Sequence, residues 1–70
     1  MTSELPIQRV EVSFVGIPPI HQIERASGVS DVEVNGATVR CIVLGSFQPF
    51  LEALLGHEVI SLSSTPFALP

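Results

Sequence analysis

The sequence predicts an α+β fold, a four-stranded antiparallel sheet with two helices on one face. Three observations predict it. Strand-like alternation recurs in four stretches, "IQRVEVSFV", "VSDVEV", "ATVRCIVL" and "EVISLSS". Two helix-like stretches, "IPPIHQIERASG" and "GSFQPFLEALLGH", fall after the first and third of these. Between the middle two lies Asn35-Gly36, a strong two-residue hairpin signal.

Ile7 to Val15 alternates with period two, which is the mark of a strand with one buried side. Val10, Val12 and Phe14 face the core; Arg9, Glu11 and Ser13 face the other way. Gly16 ends it. Pro18 or Pro19 suits the first turn of the first helix, where a missing N–H costs nothing. Ile20, Ile23 and Ala26 or Ser27 fall near one helix face, and Gly28 fits a left-handed stop.

With Asn35-Gly36 as the turn, Val34 is expected opposite Ala37, Val32 opposite Val39 and Asp31 opposite Arg40. One face then carries Val32, Val34, Ala37, Val39, Cys41 and Val43. The other carries Asp31, Glu33, Thr38, Arg40, Ile42 and Leu44. In the second helix Ser46 is a cap and Pro49 sits in the first turn. Phe47, Leu51, Leu54 and Leu55 form its expected apolar stripe, with Phe50 at the edge. Gly56 stops it. The last strand is expected to bury Ile60 and Leu62. Residues 1–6 are expected to be flexible and 64–70 an irregular tail.

The order β-α-β-β-α-β is that of the ferredoxin-like split βαβ fold, in one small domain spanning the chain. Its first and third strands are central, and one sheet face is left without helices. Ile42 and Leu44 would then stand on a central strand, on the uncovered face.

Composition narrows the function classes. The 70 residues are 46% hydrophobic, more than so small a domain easily hides, which fits a partner, a fused neighbour or poor solubility alone, or else a compact core with ordinary surface apolars. The net charge is −4, with three Arg and no Lys, so a phosphate-binding footprint for nucleic acid is not expected. The single cysteine excludes an internal disulfide and a cysteine metal cluster. The start "MTSELPIQ" does not read as a signal peptide, and no apolar run reaches the ~18 residues of a span. Cytoplasmic location without direct membrane insertion is the expectation.

Chemistry is sparse. The loop after the first strand, Gly16-Ile17-Pro18-Pro19, offers no metal ligand and few amide donors for a phosphoryl group. None of the four Phe is expected on the open face, as an RNA-binding sheet would require. No Gly-rich phosphate loop is present. His21 and His57 are far apart in sequence and read as helix-end residues. Cys41 reads as a small core hydrophobe. Glu11, Asp31 and Glu33 share a face with Arg9 and Arg40 and read as a solvated charge ladder. The expectation is therefore no catalytic residue, no cofactor and no metal. The expected partner surface is Ile42, Leu44, Arg40, Glu11 and Arg9.

The run "ERASGVSDVEVNGATVRCIVLGSFQPFLEALLGHEVISLSSTP" resembles the C-terminal accessory domain of ABC-transporter ATP-binding subunits, of the daunorubicin-resistance-like drug exporters. The matching positions include Gly28, Val29, Asp31 to Val34, Gly36, Thr38 to Cys41, Val43 and Gly45. Leu51, Leu54, His57, Val59, Leu62 and Pro66 continue the match. "TPFALP" keeps the Pro but departs from the acidic pattern that follows it in the family. The family's Walker and signature segments precede this domain and are not in the chain.

The resemblance implies a non-catalytic accessory, regulatory or interaction domain. Any ATPase activity would belong to a fused or partner domain. The implied partners are an ABC ATPase domain, or a second copy through the open sheet face. The implied place is the cytoplasm, including the inner face of the membrane within a transporter complex. An excised domain, a truncated gene product and a stand-alone relative all fit this reading. The alternative from another class is a free-standing ACT-type module that binds a small ligand.

Overall fold

The computed structural model describes residues 6–66. The elements run β1 (Ile7–Phe14), α1 (Ile20–Arg25), β2 (Val29–Asn35), β3 (Thr38–Leu44), α2 (Gln48–Ala53) and β4 (Val59–Pro66). The four strands form one sheet in the order β2-β3-β1-β4, with every neighbouring pair antiparallel. This is an α+β fold, with β3 and β1 central.

The alternation of β1 and β3 builds the core. Val10, Val12 and Phe14 join Val39, Cys41 and Val43 on one sheet face. Ile23 of α1, Phe50 of α2 and Leu54 just beyond α2 close the cluster from above. In register, Val10 faces Cys41 and Val12 faces Val39 across the central pair. Full burial of each such side chain contributes roughly 1.5–3 kcal/mol. Phe47 packs beside Phe50 with ring centroids 6.1 Å apart in a tilted arrangement.

The hairpin turn differs from expectation by one residue. Asn35 pairs with Thr38, so Gly36 and Ala37 are the central turn residues. Gly36 has φ 64°, whereas neither Asn35 nor Ala37 has positive φ. A single positive φ at the first central position is what a type II′ turn requires, and Gly meets it without Asn beside it. Val34 therefore faces Val39, and Glu33 rather than Asp31 faces Arg40.

A bulge then restores the pattern. The register shifts between Ser30 and Glu33, so Asp31 and Val32 together span the place of Cys41. Asp31 takes φ 53° there, a left-handed conformation that Asp tolerates better than most side chains. The extra residue lets Val29 and Val32, three apart, both pack against the core. Strict alternation would send them to opposite faces.

Pro19 sits immediately before α1, and its carbonyl accepts the Ile23 N–H at 3.1 Å. The Ser46 hydroxyl accepts the Gln48 N–H at 3.1 Å at the start of α2. The α2 stripe is rotated from expectation. Phe50 is buried and Phe47 and Ala53 pack on the core, while Leu51 and Leu55 point to solvent. Phe47, Phe50 and Leu54 follow an i, i+3, i+7 row, which a helix places on one side.

β4 corrects two further expectations. Ser64, Thr65 and Pro66 belong to the strand, not to a tail. Ile60 is 68% exposed and Leu62 40% exposed, so neither is core. Val59, opposite Phe14 after a register shift, is the residue of β4 that packs on the core. The cause is helix length. Six residues make a helix of about 9 Å, and α1 packs over β2 and against α2. Neither helix makes more than slight contact with β4. Residues 1–5 and 67–70, with the expected flexible start and the rest of the tail, lie outside the described residues, as does Phe67.

Candidate functional site

The face without helices is built by the odd positions of β1 and the even positions of β3. Ile7 faces Leu44, Arg9 faces Ile42 and Glu11 faces Arg40. The five residues expected to form a partner surface are thus direct or next neighbours on the two central strands. β4 extends the face with Ser63 opposite Glu11 and Thr65 opposite Arg9.

Leu44 is 43% exposed and Ile42 is half-buried. With Ile7 they floor an open groove of about 830 Å³, walled by Arg9, Arg40 and the β2 segment Ser30 to Glu33. The bulge shapes that wall: it displaces Asp31 and Val32 from the ladder opposite Cys41. A second hollow of about 230 Å³ lies among Arg9, Glu11, Arg40, Ser63 and Thr65. The surface is therefore apolar at one end and charged at the other.

The charged end is held in place. The Arg40 Nε donates to the Glu11 carboxylate at 3.0 Å, an ion pair half exposed to water. The Ser13 and Thr38 hydroxyls share a hydrogen bond of 3.2 Å one pair further along. An exposed pair of this kind contributes little to stability, about 0.2–1 kcal/mol. Its effect is to fix where the guanidinium points.

Sequence reasoning put Asp31 and Glu33 on this face but missed Ile7, Ser30 and Val32 as walls of the groove. Ile7 was within reach, since it shares parity with Arg9 and Glu11. Ser30 and Val32 were not, because their place depends on the bulge. The sequence placed Asp31 against Arg40; the structure puts Glu33 there.

The remaining titratable groups are dispersed. His21 is exposed on α1, with Nδ1 3.9 Å from the Glu24 carboxylate. His57 is exposed after α2. Among the described residues no three His, Cys, Asp or Glu gather where they could hold a metal ion. Cys41 faces the core, and burial pushes its thiol up from 9.0 to about 11. At neutral pH it is protonated, the unreactive form. Among the described residues no helix is long and apolar enough to cross a membrane.

No protein-family model matches this chain, and neither a curated protein nor a solved structure matches it significantly.

Proposed function

We propose that this chain is a ferredoxin-like accessory domain that docks, through its open sheet face, on the ATP-binding subunit of an ABC exporter. The βαββαβ order with β1 and β3 central supports the fold reading. The observation that carries the function is the apolar floor of Ile7, Ile42 and Leu44 on a face that no helix among the described residues covers. An apolar centre rimmed by Arg and carboxylates is the composition of a protein interface. The run from Glu24 to Pro66 resembles the family's accessory domain, which names the partner. The domain itself contributes no catalytic group; its role is regulatory or adhesive, on the cytoplasmic side of the transporter.

The test is binding of the labelled chain to the ATP-binding subunits of ABC exporters from the same organism, measured by sedimentation. Saturable binding that the Ile42→Glu, Leu44→Lys double variant abolishes supports the reading, provided the variant keeps the parent's circular dichroism. Absence of binding at high micromolar subunit overturns it, as does binding that the double variant leaves intact.

The groove's volume falls in the small-molecule range, which favours an ACT-type ligand-binding module as the second reading. A metabolite that raises the unfolding midpoint of the parent, but not of the double variant, would decide for it.

A further inference from the structure

Rows of side chains cross the open face from β4 through β1 to β3, and their chemistry changes in step. In one row Ser63 stands opposite Glu11, which stands opposite Arg40. In the next Thr65 stands opposite Arg9, which stands opposite Ile42. In the one after that, Ile7 stands opposite Leu44. The rows pass from polar to mixed to apolar. Ser63 and Thr65 line the small hollow with Arg9, Glu11 and Arg40, so the odd positions of β4 belong to this face. The register of β4 with β1 is regular as far as Gln8 and Pro66. Continued by one pair, it would set position 67 opposite Ile7, and period-two parity assigns that position to the open face. The residue there is Phe.

The third row is then apolar on all three strands: Phe67, Ile7 and Leu44. The reach is short. Neighbouring strands lie about 4.8 Å apart, so position 67 would stand about 5 Å from Ile7 and about 10 Å from Leu44. A phenylalanine ring laid over Ile7 meets Leu44. Phe14 and Phe50 are buried and Phe47 packs on the core. Phe67 is the fourth Phe of the chain, and covering an aromatic ring is among the largest apolar gains a side chain offers.

We propose that Phe67 seats on Ile7 and Leu44 of its own chain, and that Phe67-Ala68-Leu69 covers the apolar end of the groove. The segment carries no charge, as an apolar floor requires. Its own chain is the favoured source. Pro66 already stands opposite Gln8, so Phe67 is tethered one residue from its seat, and a tether raises the effective concentration. A second copy has no such advantage, and a net charge of −4 on each copy opposes its approach. The contact does not rest on the docking proposed above. A partner that docks on the same floor must displace Phe67.

The chain contains no Trp and no Tyr, so Phe67→Trp adds a single reporter to the full chain. Ile17→Trp is the solvent reference, because Ile17 is 88% exposed. The Phe67→Trp variant should emit further to the blue than the reference, and acrylamide should quench it several-fold less. Adding Leu44→Lys should remove both differences. Leu44 lies outside the core, so circular dichroism should not change. Protein concentration should not matter. Should a variant misfold, the parent decides: nuclear Overhauser contacts should join the Phe67 ring to the Leu44 methyls. Emission and quenching equal to the reference overturn the proposal. So does shielding that Leu44→Lys leaves intact, shielding that grows with concentration, as a second copy would cause, or a parent without those contacts. No partner enters the experiment, so its failure leaves the docking reading standing, and a failure to dock leaves this contact standing.

Discussion

Gly28 is the position where one methyl group should do the most harm. It joins α1 to β2 with φ 82°, and its carbonyl accepts the Leu44 N–H at 2.8 Å. A Cβ built there would lie 2.5 Å from the Leu44 carbonyl oxygen. That oxygen belongs to the backbone of central strand β3, so it cannot swing aside as a side chain would. Two costs add in Gly28→Ala. The left-handed conformation costs an L-residue about 1–2 kcal/mol. Forcing two backbones apart adds about 1–3 kcal/mol, the range for overpacking. The sum, about 2–5 kcal/mol, is a large part of the roughly 4–10 kcal/mol a chain of this length holds. Gly16→Ala is the matched control: φ is 87°, but nothing lies within 4 Å of its Cβ. Urea unfolding followed by circular dichroism measures both. With a slope of about 1 kcal/mol/M for so short a chain, Gly28→Ala should lower the midpoint by at least about 2 M. Gly16→Ala should lower it by about half that or less. Equal midpoints for the two variants would refute the close approach and leave only the backbone conformation.

Gly36→Val should cost about 1–3 kcal/mol, because it puts a β-branched residue at φ 64°. Asn35→Ala should cost under about 0.5 kcal/mol, since Asn35 is a paired strand residue; urea midpoints of both variants check the turn's placement. Cys41 should resist a thiol reagent at pH 8 in the native protein and react at once in urea. Its raised thiol pKa also sets a sign. The unfolded thiol loses its proton above about pH 9, while the folded one holds it to about 11. Stability from this group is therefore full below pH 9 and declines between 9 and 11, by at most about 1.4 kcal/mol per pH unit. Cys41→Ala should remove that slope in unfolding measured across this pH window.

The buried faces of β1 and β3 were legible in the sequence because period-two alternation is local. Val10, Val12, Phe14, Val39, Cys41 and Val43 all lie where alternation put them. What was not legible depends on contacts between segments. The dipeptide Asn35-Gly36 predicted a turn at those two residues, but the register that pairs Val34 with Val39 puts the turn at Gly36-Ala37. The spacing of Val29 and Val32 held a clue to the bulge: two apolar residues of opposite parity in one half-buried strand. In α2, counting leucines favoured Leu51 and Leu55, whereas the larger Phe50 takes the buried position. That Arg9, Glu11, Arg40, Ile42 and Leu44 share one face was legible because it needed only the parity of β1 and β3. Of its β2 wall, Asp31 and Glu33 were placed on this face, while Ser30 and Val32 were missed because the bulge sets the register there.

The high apolar content raises the question of where the surplus goes, and the geometry localises it. A strand of eight residues spans about 27 Å at 3.4 Å per residue, three times the length of either six-residue helix. Two such helices cannot shield four strands, so some of the sheet's apolar side chains must stay in contact with water. They are not spread evenly. On β4 the exposed ones are Ile60 and Leu62; on the open face, Leu44 lies beside half-buried Ile42. The acidic residues of the sheet border the open face, Glu11 against Arg40, and Asp31 and Glu33 on β2, and none lies on β4. A sequence selected only for a soluble isolated fold would put charge on the strand with the least cover. Here that strand, β4, is the one with no charge at all.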